Sequence, residues 1–203
     1  MTDVNATIVY YSSTGSVHAL AEAAAEGAEK AGARVRLRKV AELAPAEAIA
    51  EHDHWQAHVE RTNDVAEVRI EDVEWADAVL FGTPTRYGMV ASQLKQFIDS
   101  TGSSWREGRL ADKVYGAFVS TATAHGGHES TLLSLYTVFA HWGGVIVPPG
   151  YTDPIQFATG NPYGASHLAV QGAGPGEVEL DAARYQARRA VETAAALRSG
   201  RRT

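Results

Sequence analysis

ATIVYY, at residues 6–11, runs directly into SSTGS, at residues 12–16. The first stretch is β-branched and aromatic without alternation of apolar and polar positions, which is typical of a strand buried on both faces of a parallel sheet. The second stretch is a polar turn with a glycine. Sequence rich in Ala and Glu follows it, with apolar residues at helical spacing as far as Gly32. The opening unit is therefore predicted to be a buried strand, a polar turn and a helix.

The same unit recurs along the chain. Further strands are predicted at residues 33–40, near a sheet edge, and at 78–82, 114–120 and 145–148; helices are predicted up to about Gly102, over 130–142 and over 182–198. Strands that alternate with helices imply right-handed crossovers. The predicted fold class is therefore α/β, with a five-stranded, doubly wound parallel sheet and helices on both faces.

Two segments interrupt this rhythm. Residues 41–70 are polar and rich in His, Asp and Glu, which predicts a surface insertion with a short helix around 45–51. Residues 150–179 are dense in Gly and Pro, and a loop of that length in a compact domain is usually functional or part of an interface. The chain of 203 residues with 45% apolar content suits a single domain over 1–203.

Composition excludes several classes of chemistry. The chain has no cysteine, so thiolate nucleophiles, disulfides and iron–sulfur ligation are ruled out, and redox chemistry would require a bound cofactor. No apolar run approaches the length of a membrane span, and the first residues do not resemble a signal peptide, which predicts a cytoplasmic protein. A formal net charge of −6 argues against a nucleic-acid partner.

Ligands of an open parallel sheet bind beyond the carboxyl ends of its strands, where the strand order reverses. Three predicted turns lie there: residues 12–16, 83–88 and 120–127. The first joins hydroxyl groups and Gly15 to a helix N-terminus, where free N–H groups attract a phosphate. It lacks the P-loop lysine and the dinucleotide glycine pattern, so a single phosphomonoester such as that of FMN fits best. The alternative is a turn that only caps a helix.

The second turn carries groups suited to a planar heterocycle. Pro84 stiffens it, Thr85 and backbone N–H groups offer hydrogen bonds, Arg86 supplies a positive charge and Tyr87 can stack. Such a set suits an isoalloxazine ring, whose reduced, partly anionic form the cation would favour. The alternative is an ordinary turn with an exposed arginine and a packed tyrosine.

The histidines do not predict a metal site. His125 and His128, like the group His52, His54 and His58, lack an obvious ligand spacing on a helix. The third turn adds only hydroxyl groups and small residues that would allow a ring edge to approach the backbone. His141 is predicted at the end of a helix, where the helix dipole or packing would explain it without catalysis.

Several of these stretches together resemble the WrbA-type NAD(P)H:quinone oxidoreductases, which are flavodoxin-like proteins formerly described as tryptophan-repressor-binding proteins. The resemblance covers nearly the whole chain. It rests on VYYS at 9–12 with its glycine turn, FGTPTRYG at 81–88, QFIDSTG at 96–102 with Trp105, VIVP at 145–148, NPYGA at 161–165 and ARYQ at 183–186.

The resemblance implies an enzyme that binds FMN and transfers two electrons, as a hydride, from NADH or NADPH to a quinone. It also implies a homotetramer in which Trp105 of one subunit covers the flavin of another. The implied catalytic residues are Trp105, His141 and Arg86. The implied FMN-binding residues are Ser12, Ser13, Thr14, Gly15, Ser16, Val17, Pro84, Thr85, Arg86, Tyr87, Ser120, Thr121, Ala122, Thr123 and His141.

Two other functions are compatible with the same fold. A flavodoxin-type electron carrier would need an acidic surface run for docking, which this chain lacks. A flavin-binding regulatory protein would use the same cofactor pocket without turnover. For the enzyme, we expect the nicotinamide nucleotide and the quinone to occupy one slot in turn, since both must reach the same flavin face.

Overall fold

The computed structural model describes residues 4–200, so the ends of the predicted domain, residues 1–3 and 201–203, lie outside the described part of the chain. Its strands are β1 (Asn5–Tyr10), β2 (Arg34–Lys39), β3 (Ala78–Arg86), β4 (Met89–Val90), β5 (Val114–Thr121), β6 (Val145–Ile146) and β7 (Ser166–Leu168). The main sheet is parallel with the order β2-β1-β3-β5-β6. The chain crosses from β2 over β1 to β3, which places the reversal of strand order between β1 and β3.

Helices cover both faces of the sheet, as the sequence predicts. They are α1 (Ser16–Lys30), α2 (Ala46–Ala50), α3 (Asp53–Arg61), α4 (Ile70–Trp75), α5 (Ser92–Ser100), α6 (Gly102–Arg106), α7 (His128–His141), α8 (Pro154–Thr159) and α9 (Glu177–Gly200). One buried cluster joins the sheet to α1 and α9, and a second joins its other face to α4, α5 and α7. Successive residues of β1 enter opposite clusters, since Ile8 belongs to the first and Val9 to the second.

The prediction of five strands is wrong, because the sheet contains seven. Two short strands lie beside β5 where one strand was predicted. β6 pairs only with the start of β5, at Val114 and Tyr115, and β7 pairs with the end of β5. After β6 the chain leaves the sheet at two prolines and Gly150, because proline has no N–H group to donate to a ladder. It returns past Gly164, where an added Cβ would lie 2.2 Å from the carbonyl oxygen of Ala117. The predicted loop at 150–179 therefore contains α8, β7 and the start of α9.

The predicted turn at residues 83–88 is largely strand. β3 continues to Arg86 because β4 pairs with it in antiparallel register, Arg86 opposite Met89. The two-residue connection, Tyr87 and Gly88, has positive φ angles of 54° and 77°, the backbone of a tight hairpin turn that matches strand twist. The hairpin carries β3 beyond the sheet edge and places Arg86 and Tyr87 above it.

The insertion at residues 41–70 lies along the edge strand β2. The Lys39 N–H group donates to the carbonyl oxygen of Ala66, and the Val68 N–H group donates to the carbonyl oxygen of Lys39. The predicted short helix is α2, whereas α3 and α4 were not predicted; both are short, and α3 contains few apolar residues. None of the helices within residues 4–200 combines the length and apolar character needed to cross a bilayer.

Candidate functional site

Three loops meet above the reversal of strand order and enclose a cavity of about 500 Å³. Register explains the meeting, since Tyr10 of β1 lies opposite Gly82 of β3, and Pro84 lies opposite Ser120 of β5. The cavity is lined by Ser12, Ser13, Thr14, Ser16, Val17, Pro84, Thr85, Arg86, Tyr87, Ser120, Thr121, Ala122, Thr123, Gly126 and Ala169. Of the residues that the resemblance implies for FMN binding, all but Gly15 and His141 line this cavity, and the implied catalytic residue Trp105 does not.

The first loop presents free N–H groups to this cavity. Gly15 is the N-cap of α1 with a φ of 109°, and its N–H group donates to Ser12 Oγ at 3.0 Å. The N–H groups of Ser13, Thr14, Ser16 and Val17 donate to no acceptor among the described residues. Arg86 is the single ionised side chain in the lining. A neutral wall with unpaired N–H donors at a helix N-terminus is a receptor for an anion.

The insertion supports this loop from behind. Arg61 of α3 reaches Gly15, where an added Cβ would lie 2.8 Å from Arg61 Nη2, and the same nitrogen donates to His58 Nδ1 at 3.2 Å. The His58 ring packs against His18 of α1, whose Nδ1 lies 2.6 Å from the Tyr10 hydroxyl. Burial lowers the pKa of His58 to about 4 and also lowers that of His18, so both rings are neutral near pH 7. Neutral His58 is therefore able to accept the hydrogen bond from Arg61.

The hairpin after β3 is fixed by hydroxyl groups. Thr85 Oγ1 contacts the carbonyl oxygen of Gly126 at 3.1 Å and Thr131 Oγ1 at 2.8 Å. Arg86 is exposed, and its Nη2 donates to Ser13 Oγ at 3.4 Å, which joins the first loop to the second. Tyr87 is fully exposed at the tip of the hairpin. A rigid hairpin thus holds one cation and one aromatic ring beside the cavity.

The third loop depends on His128, the first residue of α7. Its Nε2 lies 2.9 Å from Thr121 Oγ1 and 3.2 Å from the carbonyl oxygen of His167. This histidine therefore has a structural role that the sequence did not show. Ala169, which was not predicted, and Gly126, which lies in the predicted third turn but was not named as a binding residue, also line the cavity. The adjacent glycines at 126 and 127 were the available signal, whereas Ala169 follows the missed strand β7.

Trp105 and His141 lie at the other end of the sheet from this chain's own cavity. His128 begins α7 beside the cavity, and His141 ends the helix 13 residues later, about 20 Å away at 1.5 Å per residue. There Trp105 Nε1 donates to the carbonyl oxygen of His141 at 2.9 Å. Trp105 is 51% exposed. Neither residue lines the cavity of its own chain.

A second cavity, of about 580 Å³, adjoins the first. The two share Ser13, Thr14 and Arg86. Its outer wall is the stretch Glu51, His52, Asp53, His54 and Trp55, which connects α2 to α3 and begins the latter. The sequence assigned this stretch to a surface insertion without a function, and only its unusual density of ionisable residues marked it.

Comparison with known proteins gives consistent results. A family model described as NADPH-dependent FMN reductase matches residues 8–157. A relative from Deinococcus radiodurans named NAD(P)H dehydrogenase (quinone) is 47% identical over 96% of this chain and 97% of its own length. One of the same name from Paracoccus denitrificans is 44% identical over 100% of this chain and 98% of its own. A flavodoxin-like structure, the WrbA-like protein from Agrobacterium tumefaciens, superposes with a TM-score of 0.65 at 26% identity, covering 95% of this chain and 98% of the other.

Proposed function

The chain belongs to the NADPH-dependent FMN reductase family, and on that premise we propose that it is an FMN-dependent NAD(P)H dehydrogenase that passes two electrons to a quinone. The observation that carries the proposal is the row of unpaired N–H groups at Ser13, Thr14, Ser16 and Val17. All four residues line a cavity whose wall has no acidic side chain within the described residues. A phosphate dianion at this place would gain several hydrogen bonds without displacing any internal one.

The remainder of the cavity suits the flavin ring. The backbone of Pro84 and Thr85 forms one side, and Ser120 through Thr123 form the other. The close approach of Gly127 to Gly88, where an added Cβ would lie 2.6 Å from Gly88 Cα, brings the two loops together. Bound FMN would accept a hydride from the nicotinamide and pass two electrons to the quinone. The protein's part is to hold the ring rigidly and to leave one face open to both substrates in turn.

Arg86 gives the site its positive charge. No carboxylate pairs with this guanidinium in the part of the chain that the structure describes, and its bonds go to Thr85 O and Ser13 Oγ. An uncompensated cation beside the ring would stabilise the reduced, partly anionic flavin and so favour hydride acceptance. Arg86 is therefore the side chain to which we assign an electrostatic role.

The proposal includes a homo-oligomer, a tetramer, in which Trp105 and His141 of one copy approach the flavin of another. What supports it is the position of these residues at the far end of α7 together with the half-exposed indole. Trp105 would then form an aromatic wall over the open flavin face. The same proposal places the enzyme in the cytoplasm, where reduced nicotinamide nucleotides are available.

The test begins with purified protein freed of flavin. We expect FMN to bind in a 1:1 ratio with quenching of its fluorescence, and riboflavin, which lacks the phosphate, to bind at least about 100-fold more weakly. The FMN-loaded protein should then oxidise NADH or NADPH in the presence of a quinone, with parallel double-reciprocal plots. Equal affinity for riboflavin and FMN would contradict the phosphate assignment, and absence of quinone reduction by the loaded protein would contradict the enzyme.

A further inference from the structure

The cavity at residues 51–55 adjoins the proposed FMN site, and the linings of the two cavities share Ser13, Thr14 and Arg86. Arg86 also donates a hydrogen bond to Ser13 at this boundary. A substrate that places one end on the flavin and is longer than the flavin slot must therefore pass Arg86 to continue into the second cavity. NADH and NADPH are such substrates, because the nicotinamide is joined to an adenosine through a pyrophosphate.

Each group of the outer nucleotide has a counterpart on this path. The unpaired Arg86 guanidinium suits the pyrophosphate, for which arginine offers a bidentate fork. Trp55 is half-buried in the second cavity and supplies an aromatic surface for adenine. Its Nε1 donates to Glu42 Oε2 at 3.0 Å, so the indole is held in place before any ligand binds.

The charge of the outer wall distinguishes between the two nucleotides. The carboxylates of Glu51 and Asp53 line the cavity, and neither makes a hydrogen bond or ion pair with any residue in 4–200. Free carboxylates accept hydrogen bonds from the vicinal hydroxyl groups of a ribose. They repel the 2′-phosphate of NADPH, since like charges at close range are unfavourable.

From this arrangement we propose that residues 51–55 form the binding site for the adenosine half of NADH, and that Glu51 and Asp53 make the enzyme select NADH over NADPH. The inference rests on the proposed function, because it takes the nicotinamide nucleotide as the substrate of the adjoining cavity. It assigns a role to the insertion and a nucleotide preference opposite to the one in the description of the matching family.

The experiment measures binding of oxidised nucleotides, which do not react, to the FMN-loaded protein by calorimetry. We expect NAD⁺ to bind about tenfold or more tightly than NADP⁺, and the ratio of kcat/KM for NADH over NADPH to follow. In the variant Glu51→Gln/Asp53→Asn both ratios should fall to about one, mainly through improved binding of NADP⁺. Equal affinities in the unaltered protein would overturn the inference.

A matched control separates local from general charge effects. The variant Glu47→Gln/Glu60→Gln removes two charges from the same insertion, at positions outside the cavity lining. It should retain the preference for NAD⁺, and a fall equal to that of the cavity variant would overturn the inference. Quinone reduction with equal efficiency from both nucleotides would contradict the proposed preference for NADH and leave the proposed function intact. Selective binding of NAD⁺ without quinone reduction would support the preference and contradict the proposed function.

Discussion

The indole Nε1 of Trp105 donates a hydrogen bond to the carbonyl oxygen of His141 at 2.9 Å, at the end of the sheet remote from the cavity of the same chain. This bond ties α6 to the end of α7. It holds together two residues that the proposed function places beside the flavin of a neighbouring subunit. Under that proposal, a substitution at either residue should affect catalysis only in the assembled protein.

For Trp105→Ala, we expect unchanged FMN affinity and a KM for quinone that rises roughly tenfold, because an aromatic wall over the flavin is lost while the phosphate cradle remains. Steady-state kinetics and FMN titration measure the two effects separately. Trp105→Phe should recover most of the loss. Sedimentation analysis provides the decisive check, since a monomer with full activity would contradict any contribution from a second copy.

Gly15 offers a test of the phosphate cradle. Its φ of 109° is unfavourable for any residue with a Cβ, at a cost of about 1–2 kcal/mol. Without FMN the loop can relax, so the cost of Gly15→Ala should appear as an FMN dissociation constant raised about 5- to 30-fold. The control is Gly102→Ala, where φ is not positive and an added Cβ meets no atom within 4 Å. Unchanged FMN affinity in Gly15→Ala would mean that the loop conformation does not serve phosphate binding.

The meeting of the three loops could be predicted from the sequence because it depends on local sequence patterns and on the geometry of a parallel sheet. A buried strand such as β1 shows itself by composition, and the carboxyl ends of parallel strands must meet at one edge. That reasoning alone brings Ser12, Pro84 and Ser120 into one cavity, which the structure confirms. It also identified α1 and its end at Gly32 correctly.

The parts that were missed depend on contacts between distant residues. Strand β7 has three residues and exists because it pairs with the end of β5, which no local pattern reveals. The path of the insertion is set by Lys39 and Glu42, whose partners lie in the insertion and beyond it. Helix α3 has few apolar residues and buries only His58 in its full length, so its polar composition is also that of a surface loop. Tertiary hydrogen bonds, rather than propensity, determine these elements.

Glu42 should prove essential to the position of the insertion. Its carboxylate accepts hydrogen bonds from Tyr11, Trp55 and Gln93 at 2.8–3.0 Å. Burial disfavours the charge, but the hydrogen bonds from Gln93, from Tyr11 and from nearby backbone N–H groups outweigh it and lower the pKa of Glu42. In Glu42→Gln an amide NH₂ replaces one acceptor oxygen, which should reduce the free energy of unfolding by about 1–3 kcal/mol.

Urea denaturation of Glu42→Gln measures this loss, and the emission of Trp55 reports whether the indole has moved. Glu47→Gln is the matched control, because Glu47 lies exposed on α2 with no hydrogen bond to another described residue. Its free energy of unfolding should change by less than about 0.5 kcal/mol. Similar losses in the two variants would show that the hydrogen bonds to Glu42 do not anchor the insertion.

His58 makes the stability of the protein, and of the packing behind residues 12–16, depend on pH. Burial lowers its pKa in the folded protein to about 4, and positive charge on neighbouring side chains lowers it further than burial alone. In the unfolded chain the pKa returns to about 6.5, so the unfolded state binds more protons between these values. The stability that neutral His58 confers is therefore complete above pH 6.5 and is lost as the pH falls toward 4. We expect the loss to be about 2 kcal/mol, less than the full difference in pKa would give, because solvent reaches part of the surrounding cluster.

The variant His58→Asn isolates this contribution, since asparagine retains an oxygen near Nδ1 that can accept from Arg61 but does not titrate. Its free energy of unfolding at pH 7 can differ from that of the unaltered protein, because a ring has been removed from a buried position. The diagnostic quantity is the slope between pH 6.5 and pH 4.5, which should be shallower in His58→Asn. His125→Asn, on an exposed loop, should keep the original slope. If both variants keep the original slope, protonation of some other residue in the unfolded chain must cause the acid sensitivity.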